Sequence, residues 1–261
     1  MTAAPGLGGA FAIQCRVLGA LMLREMSSRF GRENLGFLWL FAEPAMLGGA
    51  IGALHHLSGH GLPGGVNVAV FWVLGYIPYY LFRGILNRAP VAVVGNQSLL
   101  YHRRVTLLDI LLSRNLLEGA AVFGALLGFT LLFGLALGEW PRDPPKVVMG
   151  MAGMLALANG CALLIAAGSV YTELFERLVH LATYLTLPLL GAFYMVFWLP
   201  TELQRAALWI PTVHCFEMLR EGQFGTQVPT TWDGVYLLAW IAVLNLFGLA
   251  ALRAARRDLV L

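Results

Sequence analysis

The chain of 261 residues is 59% hydrophobic and only 12% charged, with a net charge of +3, far from the roughly 25% charged residues of an ordinary soluble domain. That leaves too little polar surface for a water-soluble fold, and the few basic residues sit between apolar runs, a signature of membrane topology and not of DNA or RNA binding. Cys15, Cys161 and Cys215 match neither a metal-ligand spacing nor an even disulfide set, and read as small apolar residues.

Six windows are long and apolar enough to cross a bilayer: 35–57, 67–86, 116–137, 147–168, 178–199 and 232–252, each near the roughly 20 residues that a spanning helix needs. Helices are the required form, because every backbone group in lipid must be satisfied within its own segment. The expected fold is all-α integral membrane, six transmembrane helices in a single domain covering 1–261. With the N-terminus inside, thirteen of the 17 basic residues are cytoplasmic and only Arg142, Lys146, Arg205 and Arg220 are external. Cytoplasmic loops carry the excess of positive charge, so both termini are placed in the cytoplasm.

Ahead of the first span, the segment 11–30 aligns Phe11, Cys15, Leu18, Met22 and Met26 on one stripe, which predicts an interfacial helix lying along the inner leaflet. Its run Val17–Leu23 lies between two arginines with no small-residue cleavage site behind it, so a cleaved signal peptide is not expected. The basic end, Arg24, Arg29 and Arg32, either draws an anionic head group toward the protein or anchors the helix to anionic lipid.

In the first span Glu43 is the deepest acid. An ionisable group at that depth is a functional candidate, lining a pathway or pairing with Arg83 of the second span, unless it snorkels to the interface. His55, His56 and His60 run into a Gly- and Pro-rich stretch and read as a solvated outer loop; no metal site is expected. Trp72, Tyr76, Tyr80 and Tyr194 offer faces on which sugar rings can stack, or belong to the interfacial aromatic belt. Pro44, Pro78 and Pro188 fall inside spans, where a missing N–H kinks a helix. Gly48 with Gly52, and Gly124 with Gly128, have the spacing of close helix approach.

Residues 87–115 are long for a connector and contain Asn96, Gln97, Leu100, Tyr101, His102, Arg103 and Arg104; a short cytoplasmic helix there would dock a soluble partner. Residues 200–231 mix Trp209, His214, Glu217, Arg220 and Glu221 with apolar side chains. They are too polar to span and too apolar for a free loop, and two short helices dipping part-way into the outer leaflet would fit. No phosphate-binding loop is present, since the single lysine, Lys146, follows Pro144 and Pro145, and no hydrolase or zincin motif appears.

The interfacial helix running into Arg29-Phe30-Gly31-Arg32-Glu33-Asn34-Leu35-Gly36, followed by six spans, resembles the permease subunits of polysaccharide ABC exporters, with the type-2 ABC exporter transmembrane domain. Leu108-Asp109-Ile110 with Arg114 and Leu117-Glu118, and Trp209-Ile210-Pro211-Thr212-Val213-His214 leading to Glu217 and Leu219-Arg220-Glu221-Gly222, look like the capsule-export, KpsM-like branch. The resemblance covers nearly the whole chain.

It implies a homodimeric permease, not an enzyme, in the bacterial inner membrane. Two copies of a separate ATPase would hold the ATP and Mg, so this chain carries no cofactor. The cargo would be a lipid-linked acidic polysaccharide, and membrane lipids and periplasmic and outer-membrane export proteins would be further partners. Asn96 to Arg104 would be the coupling helix, although Val105, Thr106 and Leu107 stand where related exporters often carry a proline. Arg24, Arg29, Arg32, Glu43, Trp72, Tyr76, Tyr80 and Tyr194 would line the substrate path, and Trp209, His214, Glu217, Arg220 and Glu221 would guard the exit. O-antigen or teichoic acid export shares this architecture; an ion-coupled carrier or a membrane glycolipid enzyme is the rival from another class.

Overall fold

The computed structural model describes residues 7–30, 42–43, 45–46, 50, 54, 57, 61–96, 105–172 and 174–258, and among them there are helices and no strands. Helix α1 spans Leu7–Phe30, α2 Val68–Arg88, α3 Leu107–Leu137 and α4 Pro144–Ser169; α5 spans Leu174–Leu185, α6 Thr201–Ala207, α7 Pro211–Phe224 and α8 Gly234–Asp258. Four of these, α2, α3, α4 and α8, are long and apolar enough to cross a membrane. The first expected span, 35–57, lies almost wholly outside the described residues.

Local chemistry sets the helix ends. Asn67 caps α2 by accepting from the Ala69 and Val70 N–H groups at 3.0 and 3.4 Å. Thr106 and Asp109 form a reciprocal capping box at the start of α3, satisfying donors that a helix N-terminus leaves free. Asp143 caps α4, which opens on two prolines, whose missing N–H groups cost nothing there.

Two boundaries differ from the hydropathy windows. The third helix starts at Leu107, so residues 107–115 belong to it and not to the cytoplasmic connector. Charged and polar residues hid this start, but Asp109, Ser113, Asn115 and Glu118 are all buried. Each has a partner inside the protein, so the helix continues through them. In the fifth window, 178–199, the helix stops at Leu185 and the chain turns through 186–195 to a short 3-10 turn at Val196–Trp198. Pro188 lacks the N–H to continue a helix, and Gly191 adopts φ +95°, a left-handed conformation that glycine reaches without strain.

Helix α2 is the centre, packing against α3, α4, α5 and α7. In its apolar window 67% of residues are buried within the protein, against 17% for α8. The most extensive helix pair is α4 with α8. A Cβ on Gly160 would come within 2.7 Å of Leu244 Cβ, and one on Gly248 within 2.7 Å of Leu163 Cβ. Small residues bring these backbones together, as in membrane helix pairs generally. Among the described residues nothing approaches Gly124: a Cβ there would meet no atom within 4 Å. Gly48 and Gly52 lie outside the described residues. Helix α1 lies against α3.

Candidate functional site: an aromatic cleft beside a broken helix

The stripe of α2 formed by Trp72, Tyr76, Tyr79 and Arg83 repeats at helical spacing, so these side chains share one face. They form one wall of a cleft of about 750 Å³; Glu43, Met46 and Ala50 form another, and Tyr184, Leu187 and Phe193 close the third. The turn after α5 returns the chain so that Phe193 meets Trp72, ring centroids 5.1 Å apart. Tyr76 also packs against Tyr79 and Tyr80 at 5.8 and 6.3 Å.

At the rim of this cleft the Tyr76 hydroxyl donates to Glu43. The Arg83 guanidinium lies 3.9 Å from the same carboxylate and 4.9 Å from the centre of the Tyr184 ring. The Tyr79 hydroxyl donates to the Thr183 carbonyl at 3.3 Å. Side chains of Glu43 and Arg83 are about one quarter exposed, which is affordable because each neutralises the other. Aromatic faces with a matched charge pair at the rim suit a ligand with apolar ring faces and many hydroxyls.

The other pathway candidates divide. Tyr80 touches Tyr76 but does not line the cleft. The Tyr194 hydroxyl donates to the Leu189 carbonyl at 3.0 Å, bracing the turn. Arg24 donates to Asn96 at 3.3 Å, so the structure joins a candidate pathway residue to a candidate coupling residue. Beside it, Arg114 lies 3.2 Å from Glu25, and Gln14 donates to Asp109, tying α1 to α3 along its length. Arg32 and the side chain of Arg29 lie outside the described residues, as do Gln97, Leu100, Tyr101, His102, Arg103, Arg104 and the histidines 55, 56 and 60.

Four of the five exit candidates, His214, Glu217, Arg220 and Glu221, form a polar scaffold around α7. Arg220, 1% exposed, donates to the Tyr194 carbonyl and, at 2.8 Å, to the Ala192 carbonyl. Its guanidinium also stacks 4.5 Å above Phe71. Glu217 is 3.7 Å from Arg220 and accepts from the Val196 and Thr231 N–H groups at 3.2 and 3.0 Å. Burial lowers the Arg220 guanidinium to about 10, against the pull of Glu217, so it is still a cation at neutral pH. Gly75 completes this packing, since a Cβ there would fall 2.1 Å from the Ala192 oxygen. The carbonyls freed where the fifth window breaks are thus recovered by one arginine from α7.

His214 bridges the Leu208 carbonyl at 2.9 Å and the Asp233 N–H at 2.9 Å, which assigns the ring proton to Nε2. Glu221 accepts from Lys146 at 2.7 Å and from Trp232; the Lys146 hydrogen bond, ahead of that from Trp232, holds its carboxyl below the ordinary value. Trp209 is 77% exposed and lies outside this network.

Hydropathy reading missed a chain of amides through the helix bundle. Asn115 donates to Asn159 at 2.8 Å, Asn159 to Asn245 at 2.8 Å, and Asn245 to the Ala156 and Ile241 carbonyls at 3.0 and 2.8 Å. It links α3, α4 and α8. Its signal was an isolated asparagine in or beside each of three apolar windows, since amides in lipid seek each other.

Long apolar helices joined through internal amides and ion pairs define an all-helical integral membrane protein. The chain is 38% identical over 240 residues to the capsule polysaccharide export inner-membrane protein CtrC of Neisseria meningitidis serogroup B, covering 92% of this chain and 91% of that one. It is 35% identical over 243 residues to BexB of Haemophilus influenzae, which carries the same description, covering 93% and 92%. It is 29% identical over 252 residues to the polysialic acid transport protein KpsM of Escherichia coli, covering 93% and 95%. The chain belongs to the family of capsule polysaccharide export inner-membrane proteins. No protein-family model matches it.

Proposed function

We propose that the chain is the permease subunit of an ABC exporter that moves lipid-linked capsular polysaccharide across the inner membrane, driven by a separate ATPase. In this reading two copies pair, each crosses six times with both termini in the cytoplasm, and α1 lies along the inner leaflet. The cleft along α2 carries the reading: sugar rings stack on Trp72 and Phe193 while hydroxyls exchange hydrogen bonds with Tyr76, Glu43 and Arg83. Residues 96–104 dock on the ATPase, and motion there reaches α1 through the Arg24–Asn96 contact. The α7 scaffold holds the broken segment 186–195 beside the exit.

Two measurements test this. Purification of the tagged chain from its native membrane should recover a Walker-motif ATPase in equal copies; a chain active alone, without ATP, refutes the reading. Replacing Trp72 and Phe193 by leucine should cut polymer export several-fold, on about 0.5–1.5 kcal/mol per aromatic contact. The assembled complex should be retained; undiminished export removes the cleft from the path.

A further inference from the structure

The last turns of α8 present Leu249, Leu252, Arg253 and Arg256 to a second pocket of about 810 Å³, closed on its far side by Leu107 and Leu108 of α3. The spacing three, four and seven residues on from Leu249 places all four on one stripe. The stripe has an order: leucines first, then arginines in the last turns of α8, which runs to Asp258. The volume falls within the roughly 300–1,000 Å³ of ordinary ligand sites.

Both arginines are exposed, and neither makes an ion pair with a described residue. No acid is among the described lining residues; nearby Asp109 is occupied, its carboxylate accepting from Thr106 and Gln14. An apolar floor beneath a doubly cationic rim, in the last turns of a helix long and apolar enough to cross a membrane, complements an amphiphile with an anionic head. We propose that this pocket is a binding site for an anionic phospholipid, whose phosphodiester is held by Arg253 and Arg256 and whose acyl chain lies against Leu108, Leu249 and Leu252. The site shares no described lining residue with the aromatic cleft and requires only that α3 and α8 be embedded in the membrane.

The test is lipid retention by the purified full-length protein, read by native mass spectrometry and by thermal shift. The probes are dioleoyl phosphatidylglycerol, dioleoyl phosphatidylcholine and inorganic phosphate. Phosphatidylglycerol should be retained about ten-fold or more over phosphatidylcholine, from two basic residues at a membrane surface. The preference should disappear in R253Q/R256Q and persist in the R205Q control on α6. Equal retention of the two lipids, or an unchanged preference in R253Q/R256Q, overturns the proposal. Protection by inorganic phosphate alone overturns the lipid assignment in favour of a simple anion site. If the double variant does not fold, R256Q alone decides: a reduced preference supports the site and an unchanged one refutes it.

Discussion

Replacing Arg220 by methionine keeps a long side chain but removes the cation that holds the broken fifth segment to α7. The guanidinium is 1% exposed, serves two carbonyls and lies 3.7 Å from Glu217. Removing one partner of a buried ion pair costs about 3–5 kcal/mol, a range that already includes orphaned carbonyls at about 1–3 kcal/mol each. At about 2–4 °C per kcal/mol for chains of this size, the unfolding midpoint should fall by on the order of 10 °C. Cys215, buried on α7, is a built-in reporter: in a C15S/C161S background, a thiol-reactive dye should label it at the lower temperature. The double variant R220M/E217Q should recover part of the loss because no bare charge is left. A midpoint for R220M within about 2 °C of wild type, a small fraction of that expected fall, would falsify the clamp.

Three further outcomes follow from the packing. N159L breaks two links of the amide chain and should cost about 1–3 kcal/mol, from interhelical bonds of about 0.6–1.7 kcal/mol each; resistance to detergent unfolding checks it, and wild-type resistance contradicts it. G248V forces a Cβ against Leu163 and should destabilise by about 1–3 kcal/mol, whereas G124A, with open space around it, should stay within about 0.5 kcal/mol of wild type; equal unfolding midpoints for the two would refute the contact. Because Glu221 titrates below its ordinary value of 4.5, its link to Lys146 is fully stabilising above that value. The contribution is lost as pH falls through the lower folded value. E221Q should therefore lose less stability than wild type on going from pH 6 to pH 3, and parallel pH profiles would contradict the link.

How far these features were legible depends on which force sets each one. Length and apolarity place α2, α4 and α8 close to the windows read from hydropathy, because lipid imposes both. The approach of Glu43 to Arg83 was also accessible, since a lone acid and a lone base at similar depth on adjacent spans have few other partners. Hydropathy cannot tell a continuous apolar helix from one that turns back on itself, so the break after Leu185 was invisible. Its evidence was split between Pro188 and Gly191 in one segment and Arg220 in another. The early start of α3 was hidden for a related reason. Asp109 and Arg114 look like connector residues until Gln14 and Glu25 are seen to meet them.

The uneven burial of the helices divides the chain into regions of different mutational tolerance. On α8 the outward residues Leu238, Leu246 and Phe247 are exposed, and in a bilayer one apolar side chain there serves nearly as well as another. Helix α2 is enclosed by protein on most of its surface, so each of its positions answers to several neighbours at once. Saturation mutagenesis should therefore return a permissive, merely apolar profile along the outer face of α8 and a restrictive one along α2, and sequence drift between related permeases should follow the same division.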